Sequence, residues 1–345
     1  MSGPSILFVP DAGPAVGGGH VMRSLTLAGA MAAEGAACRF VAPPAVAALL
    51  DAFAPQAART QAASCAPGDL TQAVGGERFD AVVFDHYGLS ASDHAAMAKG
   101  RPVLAIDDLA DRPLAADLVL DSGPARRAQD YDGLVPETAR LLLGPQYAPV
   151  RPEFAELRAG ALGRRGGEGV GRVLVSLGLT DVGGVTERVL ERLRPRVSAV
   201  GIDVVLGSQA PSLAGLTKIA RRDERLALHV DSADMAWLTA NADVGIGAAG
   251  SSAWERCALG LPSLMVVLAD NQRQAAAALA EREAALVVDA AQPDFDAAFD
   301  RALMRLLTDP VLRRALSAAS AEVCDGLGAP RAAEAFLKLI AARRA

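Results

Sequence analysis

The fold is decided by residues 6–23, ILFVPDAGPAVGGGHVMR, where a strand-like apolar run leads through a glycine-rich loop into a helical pattern. Glycines such as Gly17 and Gly19 let the backbone adopt positive φ and approach a ligand closely. His20 stands at the predicted helix start, where unpaired N–H groups and the helix dipole favour an anion and disfavour a protonated imidazole. The loop therefore predicts an anion site beside a neutral histidine, the state that a general base requires.

Two other interpretations of this loop exist. Many α/β proteins use a glycine-rich strand–helix turn without any ligand, and that alternative stays open on these residues alone. A dinucleotide site is a poorer match, because Met22 replaces the third glycine of the G-x-G-x-x-G fingerprint. The next predicted strand, 38–42, is followed by Pro43 and Pro44 instead of an acid for an adenosine ribose. We therefore predict no NAD or FAD, and no other cofactor.

Length, charge and apolar patterning exclude several classes of protein. The 345 residues suffice for two domains of ordinary size. A net charge of −6 argues against nucleic-acid binding, which depends on clustered Lys and Arg. No run approaches the ~20 apolar residues of a membrane helix, and the segment 1–4 lacks the basic region of a signal peptide. We predict a soluble monomer with no nucleic-acid partner and no membrane insertion.

Cysteine and histidine usage indicates the compartment and the metal content. No two cysteines have C-x-x-C spacing, which is typical of isolated thiols in a reducing compartment, and we predict a cytoplasmic location. No two histidines have the helical spacing of a zinc ligand pair, so no metal is predicted.

Short apolar runs alternate with helical stretches twice along the chain, which predicts parallel strand pairing and two doubly wound α/β sheets. The predicted strands are 6–9, 38–42, 81–85, 103–107 and 118–121, then 172–177, 202–206, 226–230, 244–246, 263–268 and 285–288. The Arg- and Gly-rich segment 158–171 lacks apolar periodicity and is predicted to be a linker. It would separate a domain over 1–157 from one over 172–329, with a C-terminal helix over 330–345.

Ligands of doubly wound sheets bind beyond the carboxyl ends of the strands. Two first-half strands end in acids, Asp85 and Asp107, and both are expected to face the ligand. The active site is predicted in a cleft between the two lobes.

The second half carries a further glycine- and serine-rich turn. Gly250, Ser251 and Ser252 follow an apolar strand and open a predicted helix, so their backbone and hydroxyl groups suit a diphosphate. Glu255, one turn into the helix, suits a ribose diol. The alternative is a capping box, because Ser252-x-x-Glu255 is also the pattern in which a glutamate satisfies only backbone N–H groups.

Two more turns are expected at the same sheet edge. Gly178 and Thr180 lie in the turn after strand 172–177, where the alternative is a plain turn capped by Asp181. Asn271 and Gln272 follow strand 263–268, where the alternative is a helix start with Asp270 as its N-cap. Three such turns at one edge favour a ligand site more than any of them does alone.

Six segments together resemble the hydrolases that release UDP from UDP-2,4-diacetamido-2,4,6-trideoxy-β-L-altropyranose in pseudaminic acid biosynthesis. That group is related to MurG-type glycosyltransferases and has the two-lobed GT-B fold. The pair Gly-His and Asp-His-Tyr separates the hydrolases from transferases of the same fold. The matching segments are GGGHVMR (17–23), FDHYG (84–88), IDDLADR (106–112), GPQYAPVRPEF (144–154), GSSAWER (250–256) and DNQ (270–272).

The resemblance implies a role for each matched residue. His20 would activate water, with Gly17 and Gly19 beside the substrate and with Asp85 and Tyr87 over the sugar. The UDP-binding residues would be Gly250, Ser251, Ser252 and Glu255, and the diphosphate- or sugar-binding residues Asn271 and Gln272. From its place at the same sheet edge, the turn with Gly178 and Thr180 is also predicted to bind UDP. The resemblance leaves three histidines as structural or surface residues: His86, His94 and His229. Tyr147 and Arg151 would contact the sugar or only pack. The hypothesis is a metal-independent UDP-sugar hydrolase; the alternatives are a glycosyltransferase of the same fold and a nucleotide-sugar sensor without turnover.

Overall fold

The computed structural model describes residues 3–13 and 16–344. Residues 1 and 2, which begin the segment that predicts no signal peptide, lie outside the described residues. The chain forms two compact units, Met1–Val150 with Leu327–Ala345, and Arg151–Gly326. The strands are β1 Ser5–Pro10, β2 Ala37–Ala42, β3 Arg59–Gln61, β4 Ala81–Asp85, β5 Val103–Ile106, β6 Leu118–Asp121, β7 Arg140–Leu143, β8 Arg172–Ser176, β9 Gly201–Leu206, β10 Leu226–Val230, β11 Val244–Ala248, β12 Ser263–Val267 and β13 Leu286–Asp289.

The helices connect successive parallel strands or follow the last strand of a sheet. They are α1 Gly19–Ala33, α2 Pro44–Phe53, α3 Pro67–Gly75, α4 Ala91–Ala98, α5 Pro152–Arg164, α6 Val185–Leu193, α7 Leu213–Ala220, α8 Met235–Asn241, α9 Ser252–Ala258, α10 Arg273–Glu281, α11 Phe295–Thr308, α12 Pro310–Val323 and α13 Gly328–Arg344. Short 3₁₀ turns occupy Ala128–Tyr131, Pro145–Tyr147, Val182–Gly184, Arg194–Arg196 and Asp270–Gln272.

The first unit is built on a parallel sheet of order β3-β2-β1-β4-β5-β6-β7. The strand order reverses between β1 and β4, where Pro10 pairs in register with Asp85. Such a reversal opens a crevice at the carboxyl ends of the two strands, the usual ligand position in these sheets. The loop that leads to His20 and the acid that ends β4 therefore meet at the switch point of this unit.

The second unit repeats the arrangement with a parallel sheet of order β10-β9-β8-β11-β12-β13. Its switch point lies between β8 and β11, whose residues Ser176 and Gly247 are paired. The turn that contains Gly178 follows β8, and the turn that contains Gly250 follows β11. Both predicted UDP-binding turns thus lie at the switch point of the second sheet.

The sequence predicts eleven strands, and all eleven are present within one or two residues. It misses β3 and β7, which are the two edge strands of the first sheet. β3 is only Arg59-Thr60-Gln61, without the apolar run that marks a buried strand. Edge strands in natural sheets are often short and polar, so they give a weak sequence signal.

The predicted domain boundaries need correction. The predicted linker 158–171 begins inside α5, which continues to Arg164 and buries Phe154 and Ala161. The chain instead passes from one unit to the other at Val150–Arg151 and at Gly326–Leu327. Charged residues dominate the exposed face of α5 and hide its apolar positions from a periodicity search.

The C-terminal helix is confirmed, and it belongs to the first unit. α13 covers Gly328–Arg344, and Pro330 lies in its first turn, as predicted. It packs on α1 and buries Ala332, Phe336 and Ile340 in the same core as Phe8 and Leu27. The last helix of the chain therefore completes the core of the N-terminal half.

None of the helices in residues 3–13 and 16–344 combines the length and apolar character that a membrane crossing requires.

His94 is a core residue of the first unit, as the structural interpretation predicts. Its ring is 1 % exposed and stacks on Phe84, with centroids 4.2 Å apart and planes at 3°. Neither ring nitrogen has a hydrogen-bond partner among the described residues. Burial lowers the pKa of His94 to about 4. The folded protein therefore holds this imidazole neutral well into the acid range.

This buried imidazole should make the first unit acid-sensitive. Between pH 6.5 and 4 the unfolded chain binds a proton at His94 and the folded chain does not, so the free energy of unfolding falls as the pH falls. A difference of about 2.5 pKa units corresponds to about 3 kcal/mol. The free energy of unfolding should fall between pH 7 and pH 4 in both proteins. We expect the fall to be about 3 kcal/mol smaller in His94→Phe than in the unsubstituted protein, as measured by urea unfolding. Parallel pH profiles for the two proteins would contradict this.

Candidate active site

His20 lies in the first turn of α1, directly after the glycine loop. Gly17 has a φ of 80°, which favours glycine, and α1 begins at Gly19 with Gly18 as its N-cap. The imidazole is 5 % exposed and packs edge-on against Tyr87, with ring centroids 4.4 Å apart. Its Nδ1 atom is buried, lies 3.7 Å from Asp85 Oδ1 and has no hydrogen-bond partner among the described residues.

His20 is held neutral, but not chiefly for the reason that the sequence suggests. Burial lowers its pKa below the usual 6.5, and the nearby Asp85 carboxylate opposes only part of that shift. The position of His20 in the sequence suggests the helix dipole as the cause, whereas desolvation is the larger one. The result for chemistry is the same, because a neutral imidazole at pH 7 is ready to accept a proton.

A buried ion-pair network lies behind His20. Arg23, one turn further along α1, donates from Nε and Nη2 to the two oxygens of Asp85, at 2.7 and 2.6 Å. Its Nη1 donates to Asp108 Oδ2 at 2.6 Å. Tyr87 Oη donates to the same Asp108 oxygen at 2.7 Å. The network therefore links the helix of His20 to the ends of β4 and β5.

Two predictions about acids at strand ends need correction. Asp85 is completely buried and both of its oxygens bind Arg23, so it does not face a ligand. Asp107 is also completely buried and accepts hydrogen bonds from Arg112 and Tyr131. An acidic residue at the end of a parallel strand can point back into the protein when a basic side chain there forms an ion pair with it. Asp108, which no strand-end pattern marks, is the second acid of the network behind His20.

Tyr87 is placed beside the candidate base, as the resemblance implies. Its ring packs at nearly a right angle against that of His20, and its hydroxyl donates a hydrogen bond to Asp108. Tyr147 packs against the apolar core of the first unit, which is the packing alternative. Contact of Tyr87 with a sugar stays a prediction.

Among the described residues, one group, Asp11, Cys65 and His86, has donor atoms within 4.8 Å of one another, close enough to hold a metal ion. The hydrogen bonds of His86 oppose this use. Its Nδ1 accepts from the N–H of Gly88 at 3.0 Å, so Nε2 carries the proton, which it donates to the carbonyl of Cys65 at 3.0 Å. A metal ligand must offer a lone pair, so this tautomer does not fit a metal. His86 instead fixes the loop after β4.

In the second unit, the capping-box alternative for Glu255 is wrong. α9 begins at Ser252 with Ser251 as its N-cap, and no side chain caps it. The Ser252 hydroxyl instead accepts a hydrogen bond from Arg256 Nη1 at 3.1 Å. Glu255 is therefore one position too far along the helix for the reciprocal cap and is used differently.

Glu255 forms an ion pair with Arg151. Nε and Nη2 of Arg151 both donate to Glu255 Oε1, at 3.1 and 3.0 Å, and neither bond uses the second oxygen. Arg151 also lies over the ring of Phe154, 5.2 Å from its centroid. Both side chains are about four-fifths buried. Two predicted ligand residues, 104 positions apart, are thus brought together in one unit.

The turns after β8 and β12 hold a mixture of predicted and structural roles. Gly178 has a φ of 103° and Thr180 follows it in the turn. Asp181 is completely buried and accepts from the N–H of Thr186 at 2.9 Å, which supports its structural interpretation. Gly178 and Thr180 as UDP ligands stay predictions.

Gln272 connects the turn after β12 to the turn after β11. Its Oε1 accepts from the N–H of Leu268 at 3.0 Å, and its Nε2 lies close over Gly250. The predicted Asp270 N-cap is wrong, because Asp270 lies inside a 3₁₀ turn and pairs with Arg273 at 3.0 Å. Asn271 lies in the same turn.

No protein-family profile matches the chain. It is 26 % identical over 279 residues, which is 80 % of this chain and 96 % of the relative, to UDP-2,4-diacetamido-2,4,6-trideoxy-β-L-altropyranose hydrolase of Campylobacter jejuni. The resemblance drawn from the motifs is confirmed. A second relative is the spore coat polysaccharide biosynthesis protein SpsG of Bacillus subtilis, 25 % identical over 55 % of this chain and 56 % of that protein.

Solved structures superpose on almost the whole of this chain. MurG of Acinetobacter baumannii superposes with a TM-score of 0.66 over 97 % of this chain and 99 % of its own, at 17 % identity. Spinosyn forosaminyltransferase SpnP superposes with a TM-score of 0.64 over 98 % and 99 %, at 16 % identity. The fold is GT-B. Identities this low establish the fold alone.

Proposed function

We propose that this protein hydrolyses a UDP-linked 2,4-diacetamido-2,4,6-trideoxyhexose to the free sugar and UDP. The reaction would be a step of pseudaminic acid biosynthesis for flagellin or surface glycosylation. The observation that carries the proposal is the buried, neutral His20 at the switch point of the first sheet, backed by Asp85. The similarity to the Campylobacter jejuni hydrolase supports the substrate class.

The proposed chemistry is attack of water at the anomeric carbon. Nδ1 of His20 is directed at Asp85, so Nε2 is the nitrogen that takes the proton from water. The water oxygen bonds to the anomeric carbon while the bond from that carbon to the phosphate oxygen breaks. The electron pair leaves with UDP, and the configuration at the carbon inverts. The Asp85 carboxylate, 3.7 Å from Nδ1, attracts the positive charge of the imidazolium that forms.

The second unit would hold the nucleotide. Gly250, Ser251 and Ser252 offer backbone and hydroxyl donors to the diphosphate, with Gly178 and Thr180 on the neighbouring turn. The free oxygen of Glu255 would accept from the ribose diol, with Arg151 fixing the carboxylate. Asn271 and Gln272 would contact the diphosphate or the sugar. A cytoplasmic location and a monomeric state stay predictions.

The alternatives differ in what they ask of His20. A glycosyltransferase would use the same fold with a sugar or lipid acceptor in place of water, and a sensor would need no base at all. A buried histidine that is neutral and backed by a carboxylate favours turnover. The proposal that water is the acceptor is tested by isotope labelling.

Isotope labelling tests which product receives the oxygen atom of water. We expect the pure protein to release UDP from the UDP-diacetamido sugar in ¹⁸O-water, with the label in the sugar and none in UDP. The physical reason is that His20 belongs to the sugar end of the proposed site, whereas the donors of the second unit surround phosphorus. Mass spectrometry of both products measures the label, and the rate should survive EDTA.

The controls separate the competing functions. UDP-N-acetylglucosamine serves as a matched donor without the 4-acetamido group and is expected to react more slowly. Label in the phosphate of UDP would mean attack at phosphorus and would overturn the role of His20. No UDP release in water, together with release on addition of an acceptor, would establish the transferase alternative.

A further inference from the structure

Arg256 carries a buried positive charge directly beneath the loop of residues 247–252. Its side chain is on α9 and is 3 % exposed. Nη1 donates to Ser252 Oγ at 3.1 Å and Nη2 donates to the carbonyl of Ala248 at 2.6 Å. Nε has no hydrogen-bond partner among the described residues. The guanidinium is therefore tied to both ends of the loop and is not fully satisfied.

No carboxylate of residues 3–13 and 16–344 lies within ion-pair distance of this guanidinium, whereas buried Arg23 has two such partners. Burial lowers the pKa of Arg256 to about 10, so the group stays charged at neutral pH. A buried charge without a counter-ion is costly, and removing it often stabilises a protein. An anion bound at the loop would lower this cost.

The strand β11 is shaped to admit this side chain. A Cβ atom on Gly247 would come within 2.4 Å of Arg256 Nη1, and one on Gly245 within 3.2 Å of Arg256 Cδ. These glycines are two residues apart and therefore lie on the same face of the strand. The two glycines of β11 thus leave room for the Arg256 side chain.

Another buried arginine shows what a purely structural role looks like. Arg165 is 9 % exposed, and burial lowers its pKa to about 10 as well. Its Nε and Nη2 donate to the carbonyls of Leu259 and Thr239 at 3.0 Å each, and Nη1 donates to that of Ala242. All three nitrogens of Arg165 are bonded to backbone. Arg256 differs because it leaves Nε unbonded and holds a hydroxyl of the proposed phosphate loop.

We propose that Arg256 is a positioning residue for the diphosphate, which supplies the anion that its guanidinium lacks. By donating to Ser252 Oγ, it leaves the hydroxyl proton of Ser252 free to point at a phosphoryl oxygen. The fixed charge under the loop strengthens that bond and favours departure of the UDP anion. The inference rests on the proposed UDP site and extends it to a residue that has no direct contact with the ligand.

The test compares Arg256→Met with Arg165→Met in the full-length protein. Calorimetric titration measures UDP, and competition against UDP measures uridine. We expect Arg256→Met to weaken UDP binding by about 10- to 100-fold, because charge-assisted hydrogen bonds have that magnitude. Uridine, which lacks the diphosphate, should bind the variant as it binds the unsubstituted protein. Arg165→Met should lower the urea midpoint and leave UDP affinity unchanged.

Three further variants extend the test, and the first two probe the route through Ser252. Ser252→Ala should weaken UDP binding, and combining it with Arg256→Met should add less than the sum of the two changes. Arg256→Lys keeps the charge with one nitrogen and should retain more UDP affinity than Arg256→Met, which also covers the case that the Met variant fails to fold.

The outcomes distinguish failure of the proposed UDP site from failure of the role of Arg256. If UDP does not bind the unsubstituted protein, the proposed UDP site fails and Arg256 fails with it. If UDP binds that protein and Arg256→Met equally, only the inference about Arg256 is overturned. A lower urea midpoint with unchanged UDP affinity would show that Arg256 is structural, like Arg165. Additive effects of the two substitutions would overturn the route through Ser252.

Discussion

His20→Asn is expected to reduce turnover by about 10²- to 10⁴-fold, the usual contribution of a general base. This is about 3–5 kcal/mol of activation free energy. UDP affinity should change little, because the proposed UDP ligands belong to the second unit and His20 to the first. Steady-state kinetics on the UDP-diacetamido sugar and UDP titration measure the two quantities.

The matched control is His229→Asn, which makes the same change at a partly exposed histidine on β10 bonded to Asp203. Turnover of this control should stay close to normal. In the unsubstituted protein, kcat/KM should fall as the pH is lowered through the reduced pKa of His20, since only the neutral ring accepts a proton. Near-normal kcat in a folded His20→Leu protein would refute the mechanism.

Asp85→Asn is expected to lower the free energy of unfolding by about 3 kcal/mol, the lower end of the range for breaking a buried ion pair. The substitution removes the charge that faces Arg23 while keeping the shape of the side chain. Arg23 retains Asp108 as a partner, so the loss stays at that lower end. Urea unfolding measures the change, and kcat should fall too because Asp85 no longer supports His20.

Asp111→Asn provides the matched control for this prediction. Asp111 pairs with Arg112 at 3.2 Å, but its side chain is 58 % exposed. Exposed pairs contribute about 0–1 kcal/mol, so the control should hardly change the urea midpoint. Equal losses in the two variants would mean that burial of the Arg23–Asp85 pair does not stabilise the first unit.

Stability and kinetics of Asp85→Asn together distinguish a supporting role of Asp85 from direct contact with the sugar. The strand end predicts that Asp85 faces the ligand, and the resemblance implies a place over the sugar. The structure makes Asp85 the counter-ion of Arg23. A large loss of stability together with reduced kcat and an unchanged KM is expected for such a supporting role. A raised KM without loss of stability would restore the role that the resemblance implied.

The local pattern of the sequence determined the two parallel sheets, their central strands and the helix that presents His20. These features depend on neighbours in the chain: apolar runs define buried strands, and glycines permit the turn before α1. The neutral state of His20 was also predicted, although from the dipole instead of burial. The motif set carried the resemblance to UDP-sugar hydrolases, which similarity along 80 % of the chain confirms.

Only the tertiary structure decided which charges meet. Arg151 and Glu255 are 104 residues apart, and Arg23 is 62 residues from Asp85 and 85 from Asp108. No local pattern records such pairs, because they arise when the strand order brings distant turns to one sheet edge. The apolar pattern of α13 likewise predicts a helix, but it does not predict which core the helix completes. Burial of Arg256 without a carboxylate is likewise a property of the fold, since an arginine one turn into a helix is ordinarily exposed to solvent.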